Sequence, residues 1–119
     1  MNIESFREYC LKKKGASESY PFDKDTLVLK VMNKMFALCP LEKLPLSVNL
    51  KCDPERAVEL REKYEAVSPG YHMNKKYWIT VILDNSVPDR ELRQWIDFSY
   101  DLVVRGLKKE DRLKLDAMK

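Results

Sequence analysis

The residue types able to do chemistry in this chain gather in one stretch, Pro69-Gly70-Tyr71-His72-Met73-Asn74-Lys75-Lys76-Tyr77-Trp78. Two adjacent cations, an amide and the single histidine stand among three rings, and no acid occurs from Pro69 to Leu83. Lysines meet phosphates, and the faces of Tyr71, Tyr77 and Trp78 suit stacking on unpaired bases. The pattern points to a nucleic-acid wing in which Lys75, Lys76 and Asn74 contact the backbone. The competing reading puts Tyr71 and Trp78 in the core and leaves both lysines solvating a hairpin tip. Lys34 and Lys51 are supporting charges in the first reading, with Arg61 and His72 nearby.

Other chemistries find less support. A structural zinc site takes four closely spaced cysteine or histidine ligands, whereas one histidine and three isolated cysteines are available, so no metal is expected. Covalent catalysis would have to pair Cys10, Cys39 or Cys52 with His72, and nothing in the spacing joins them. His72 as an acid or base is the enzymatic rival; its structural role would be to fix the Gly70 turn. Gly15, Gly70 and Gly106 form no phosphate loop. Ser99-Tyr100-Asp101 falls inside a helical pattern and reads as architecture. No catalytic residue and no cofactor is assigned.

The elements that must position these residues follow from periodicity. Asn2 caps a helix carrying Ile3, Phe6 and Cys10, which Gly15 ends after Lys12, Lys13 and Lys14. Those lysines read as solvation and dipole compensation at a helix end. Ala16 to Asp25 is an ordered connection anchored by Tyr20-Pro21-Phe22. Leu27 to Met32 and Met35 to Leu38 alternate about Asn33-Lys34 as a hairpin, and Leu46 to Lys51 adds a third strand. Asp53-Pro54 starts a helix to about Tyr64, its apolar stripe formed by Ala57, Leu60 and Tyr64 with Arg61 at the edge. Two short strands flank the basic stretch, at Tyr71 to Met73 and Tyr77 to Leu83. Pro88 opens a last helix with Leu92, Trp95, Ile96, Ser99, Leu102, Val103 and Gly106 on one face, where Ser99 and Gly106 admit a close neighbour. The tail, 107–119, extends that helix or frays. The expected fold is α+β, an antiparallel sheet with helices packed on one side, in the order α-β-β-β-α-β-β-α.

Composition fits one domain over 1–119. The 119 residues are 45% hydrophobic, enough for one core and too few for two. Net charge is +3, a mild bias that makes clustering more informative than the total. An odd number of scattered cysteines suits reduced thiols. No apolar run has the length of a membrane span and the N-terminus lacks the order of a secretory signal, so a cytoplasmic protein is expected.

Several motifs together resemble the MmcQ/YjbR-like family of small bacterial domains. They are Tyr20-Pro21-Phe22, Lys34-Met35-Phe36-Ala37, Leu50-Lys51-Cys52-Asp53-Pro54, Leu60-Arg61, Pro69 to Lys76 with Trp78, and Ser99-Tyr100-Asp101-Leu102-Val103. The resemblance spans nearly the whole chain. It implies a CyaY-like or secretion-chaperone-like α+β fold and a DNA-binding role through two wing-like elements, without established catalysis. Positions 77 and 79 depart from it, holding tyrosine and isoleucine where the family often has histidine and asparagine. The fold analogy also offers a protein-interaction or chaperone-like module, so DNA or a protein is the expected partner.

Overall fold

The computed structural model describes residues 1–70 and 73–118. Its elements run α1 (Ile3–Leu11), β1 (Ala16–Ser19), β2 (Thr26–Val31), β3 (Lys34–Pro40), β4 (Ser47–Lys51), α2 (Pro54–Lys63), β5 (Val67–Pro69), β6 (Trp78–Ile82), α3 (Asp89–Arg105) and α4 (Lys109–Ala117). The strands form one sheet in the order β1-β2-β3-β4-β6-β5, antiparallel at every pairing. The expected α+β order holds with two additions and one shift: the strand expected at Tyr71 to Met73 lies earlier, at Val67–Pro69, where it pairs with β6, while Met73 belongs to a bend and Tyr71 lies outside the described residues. The connection after α1 supplies an edge strand, and the tail forms a short helix of its own.

Both additions depend on Gly15. Its φ of 69° lies in the left-handed region, and a Cβ there would sit 2.6 Å from Leu115 Cδ1. The chain thus turns sharply out of α1 into β1, whose residues pair Ala16 with Val31 through Ser19 with Val28. Leu115 is buried against this corner and docks α4, so the tail packs instead of fraying. The β2–β3 turn lies one residue earlier than the Asn33-Lys34 pair suggests. Met32 and Asn33 take φ of 49° and 66°, the double left-handed geometry of a tight hairpin, and Lys34 already belongs to β3.

Helix starts follow their caps. The Asn2 side chain accepts from Ser5 N–H at 2.8 Å while Ser5 Oγ accepts from Asn2 N–H at 3.0 Å, a reciprocal box. At α2 the Asp53 carboxylate accepts from Arg56 N–H at 2.9 Å, with Pro54 in the first turn, where it displaces no hydrogen bond.

Alternation along the strands sends Leu27, Leu29 and Val31, then Ala37 and Cys39, Val48 and Leu50, Ile79 and Val81 to one face. Phe6 and Cys10 of α1, Ala57 and Leu60 of α2, and Leu92, Trp95, Ile96 and Val103 of α3 cover that face. The other face carries a row across all six strands, Ser19, Val28, Leu38, Asn49, Thr80 and Ser68. Within it Thr80 Oγ1 donates to Asn49 Oδ1 at 2.7 Å.

One irregularity shapes the sheet end that carries Lys34 and Lys51. The β2–β3 register shifts between Leu29 and Lys30, which makes Phe36 an extra residue on β3. Its buried ring meets Tyr100 of α3 edge-on, centroids 5.4 Å apart. Direct β3–β4 pairing is confined to Ala37 with Leu50 and Leu38 with Asn49. Beyond it, Ser99 of α3 stands between the strands. Its hydroxyl donates to the Phe36 carbonyl at 2.5 Å and accepts from Lys51 N–H at 2.9 Å. Two backbone groups are thereby satisfied by a fully buried side chain.

Candidate nucleic-acid interface

The β5–β6 hairpin owes its shape to Gly70 and Asn74. Gly70 N–H donates to the Trp78 carbonyl at 3.0 Å, and a Cβ at residue 70 would lie 2.7 Å from Trp78 Cβ. Only glycine lets the strands approach this closely. At the far side, Lys76 N–H donates to Asn74 Oδ1 at 2.9 Å and Tyr77 N–H to the Asn74 carbonyl at 3.0 Å. This Asx-type turn holds Lys75 and Lys76 out into solvent. Asn74 therefore acts first as a turn former. Cys52 N–H then donates to the Tyr77 carbonyl at 2.7 Å, which extends the β4–β6 ladder past the Lys51–Trp78 pair and fixes the turn against the start of α2.

Two clefts flank Trp78. The larger, about 490 Å³, is lined by Lys51, Cys52, Asp53, Pro54, Asn74, Tyr77, Trp78 and Leu102. The smaller, about 280 Å³, lies where Ser99 holds β3 and β4 apart, between Lys34 and Lys51, with Val103 and Gly106 of α3 beside them. Lys51 and Trp78 belong to both, so Lys34, Lys51 and Asn74 meet around one indole. Among the described residues, none of the Lys34, Lys51 and Lys75 ammonium groups has a hydrogen-bond or ion-pair partner. Lys76 Nζ sits 5.7 Å from the centroid of the Tyr77 ring. That ring is 41% exposed, whereas Trp78 is buried.

The other candidates divide. Arg61 lies on α2 and lines neither cleft, but its charge reaches Cys52. His72 and Tyr71 lie outside the described residues, so the proposed histidine role at the turn does too. Ile79 faces the core, buried at 1% exposure, which removes position 79 from any ligand contact. Gly106 admits no unusually close neighbour, since a Cβ there would meet only ordinary contacts at 3.6 Å. Of the two small residues on that helix face, Ser99 alone is required by packing.

Electrostatics make the larger cleft two-sided. Lys51 brings positive charge and Asp53 negative. Burial chiefly pushes the Cys52 thiol up to about 11, with Asp53 adding and Arg56 and Arg61 opposing. It stays a protonated, packed thiol. Cys10 and Cys39 are likewise buried and pushed up to about 12, chiefly by desolvation. Asp53, Pro54 and Leu102 escaped sequence reasoning as cleft residues because their cap and helix patterns account for them locally. The Leu50-Lys51-Cys52-Asp53-Pro54 motif was the available signal.

The lysines after α1 are engaged elsewhere. Lys13 Nζ pairs with Asp97 and lies over Tyr9 and Tyr100, 5.2 and 5.8 Å from the ring centroids. Lys14 Nζ donates to the Asp116 carbonyl at 3.1 Å. These two are structural ties, beyond the solvation and dipole role expected of them.

A family model named YjbR matches residues 11–102. The chain belongs to the YjbR family. The uncharacterized protein YjbR of Escherichia coli K12 is 37% identical over 112 residues, 94% of this chain and 95% of that protein. The uncharacterized protein YbdF of Escherichia coli O157:H7 is 38% identical, covering 81% and 79%. A crystal structure from Deinococcus radiodurans, with a DUF419 domain, superposes with a TM-score of 0.88 at 40% identity over 97% of this chain and 88% of that one. A Pseudomonas syringae protein follows at 0.74 and 33% identity, over 86% and 98%. Every residue lining the larger cleft falls inside the matched YjbR span.

Proposed function

We propose that this chain binds nucleic acid, with Lys34, Lys51, Lys75 and Lys76 on phosphates. The observation carrying this reading is that Lys34 and Lys51 line the clefts at Trp78, Lys76 lies by the Tyr77 ring and Lys75 is exposed on the same turn, with no carboxylate partner for any of the four among the described residues. An unpaired lysine on a surface keeps its whole charge for a polyanion, and each phosphate neutralised releases counterions. Asn74 supports the contact by holding the turn, and Arg61 adds charge from α2 that reaches Cys52. No catalytic step is proposed.

Fluorescence anisotropy with labelled oligonucleotides over a salt series tests this. The Lys75→Ala/Lys76→Ala variant should bind more weakly, with a log–log salt slope shallower by about one to two. An unchanged slope in a folded variant would remove the turn from the interface.

A protein partner is the second reading, favoured by the sheet face turned away from the helices. There Leu38, Pro40, Asn49, Thr26 and Met73 line a cleft of about 340 Å³ beside Phe22, whose ring is 63% exposed. A stoichiometric complex that survives nuclease and is lost on Phe22→Ser would support it.

A further inference from the structure

We propose that the larger cleft receives a single unpaired base, and that Asp53 reads an exocyclic amino group on it. This rests on the nucleic-acid reading and gives it a substrate class: single-stranded or locally opened strands, with bases such as cytosine preferred over uracil.

The lining decides what chemistry fits. Trp78, Tyr77, Pro54 and Leu102 give the cleft ring and aliphatic walls, suited to a flat heterocycle. Its volume lies within the range of small-molecule sites, whereas the cleft beside Lys34 is smaller. Asp53 stands among these walls. A carboxylate repels phosphate but accepts from base amino groups, as acids do from cytosine N4. Its Oδ1 is taken by Arg56 N–H at 2.9 Å, and no described residue bonds Oδ2. The phosphates then belong outside, where Lys34, Lys75 and Lys76 are exposed. Lys51, on the shared wall of both clefts, bridges the two environments. Charge is thus sorted across the site: Lys34, Lys75 and Lys76 outside for the backbone, Lys51 on the shared wall, and Asp53 inside for a base edge.

The test compares oligo(dC), oligo(dU) and a duplex of equal length by anisotropy at one low salt concentration, with dCMP followed by tryptophan fluorescence. Native protein should prefer oligo(dC) to oligo(dU) by about tenfold and either strand to duplex. Tyr77→Ala, which removes an exposed ring, should weaken oligo(dC) binding about tenfold. Asp53→Asn keeps an equally good helix cap and should shrink the dC-over-dU preference to about twofold or less. The inference is overturned, and the parent reading kept, if strands and duplex bind alike, Tyr77→Ala changes nothing, and Lys75→Ala/Lys76→Ala weakens both. It also falls if Asp53→Asn tightens every oligonucleotide equally, which would put a phosphate in the cleft. Binding of dCMP as tight as oligo(dC) would make the ligand a free nucleotide and overturn it too. If no oligonucleotide binds, both readings fail together.

Discussion

Lys13 and Lys14 spend their charge on the protein, on Asp97 and on the Asp116 carbonyl. The Lys34, Lys51 and Lys75 ammonium groups meet no described partner. Along the chain the two sets look alike, lysines placed near element ends. They differ in what the fold brings opposite them. The first set faces the α3 residue Asp97 and the C-terminal end of α4, whereas in the second Lys34 and Lys51 line a pair of clefts with one carboxylate, Asp53, whose Oδ1 caps α2, and Lys75 stands exposed on the adjoining turn. A charge run is therefore informative about ligands only after its internal partners have been subtracted.

The largest expected effect concerns four buried or part-buried acids, of which Tyr9 and Cys10 belong to the first region and Cys52 lines the larger cleft. Tyr9 donates to Asp97 at 2.7 Å, and burial followed by that bond raises its pKa from 10.0 to about 12. Cys10 beside it rises from 9.0 to about 12, as does Cys39, and Cys52 to about 11. Raised folded-state values mean that the stabilisation is whole below the unfolded values, near pH 9 for thiols and 10 for tyrosine. It is lost as pH climbs through 11 to 12. Each group ionised only in the unfolded chain lowers stability by about 1.4 kcal/mol per pH unit. Urea titrations at pH 8 and pH 10.5 should show a marked drop. Equal midpoints would mean that these groups are not shielded as the structure has them.

The next effect falls on the join between the regions. Ser99→Ala leaves the Phe36 carbonyl and Lys51 N–H without their bridging hydroxyl, at a cost of about 2–4 kcal/mol. Denaturant midpoints read this directly. Because Lys51 sits on the strand end that Ser99 holds, the variant should also weaken oligonucleotide binding when assayed below its melting point. Full stability would show that β3 and β4 close on each other once the serine is gone.

Much of this arrangement was legible before any coordinates. The caps at Asn2 and Asp53-Pro54, the alternation of β2 to β4 and the apolar stripe of α3 are local signals, and each element appears where its pattern lies. What escaped was non-local. Ala16–Ser19 has little strand propensity and becomes β1 because Val28 to Val31 offers a free edge to pair with. The tail becomes a helix because Leu115 finds the Gly15 corner. For the site, residue types identified Lys34, Lys51, Asn74, Lys75 and Lys76, and the fold brings the first three around Trp78. Asp53 could not be read as a cleft residue, since its cap explained it fully and the cleft forms only once α2 starts against the β6 turn. Nor did the sequence separate Lys13 from Lys75, as the partner Asp97 lies 84 residues further on.

The smallest effects sharpen the contrast most. Lys13→Ala removes a partly exposed ion pair and two ring contacts, so it should cost about 1 kcal/mol or less in stability. It should leave the oligonucleotide salt slope where it was. Lys34→Ala/Lys51→Ala should do the reverse, with little change in the denaturant midpoint and a slope shallower by about one to two. Measured side by side, the two variants form a crossed pair in which each perturbs one property and spares the other. If Lys13→Ala flattened the slope as much as the double variant, the distinction between engaged and free lysines would collapse. Binding would then follow net charge alone, and the clefts around Trp78 would have no special claim on the ligand.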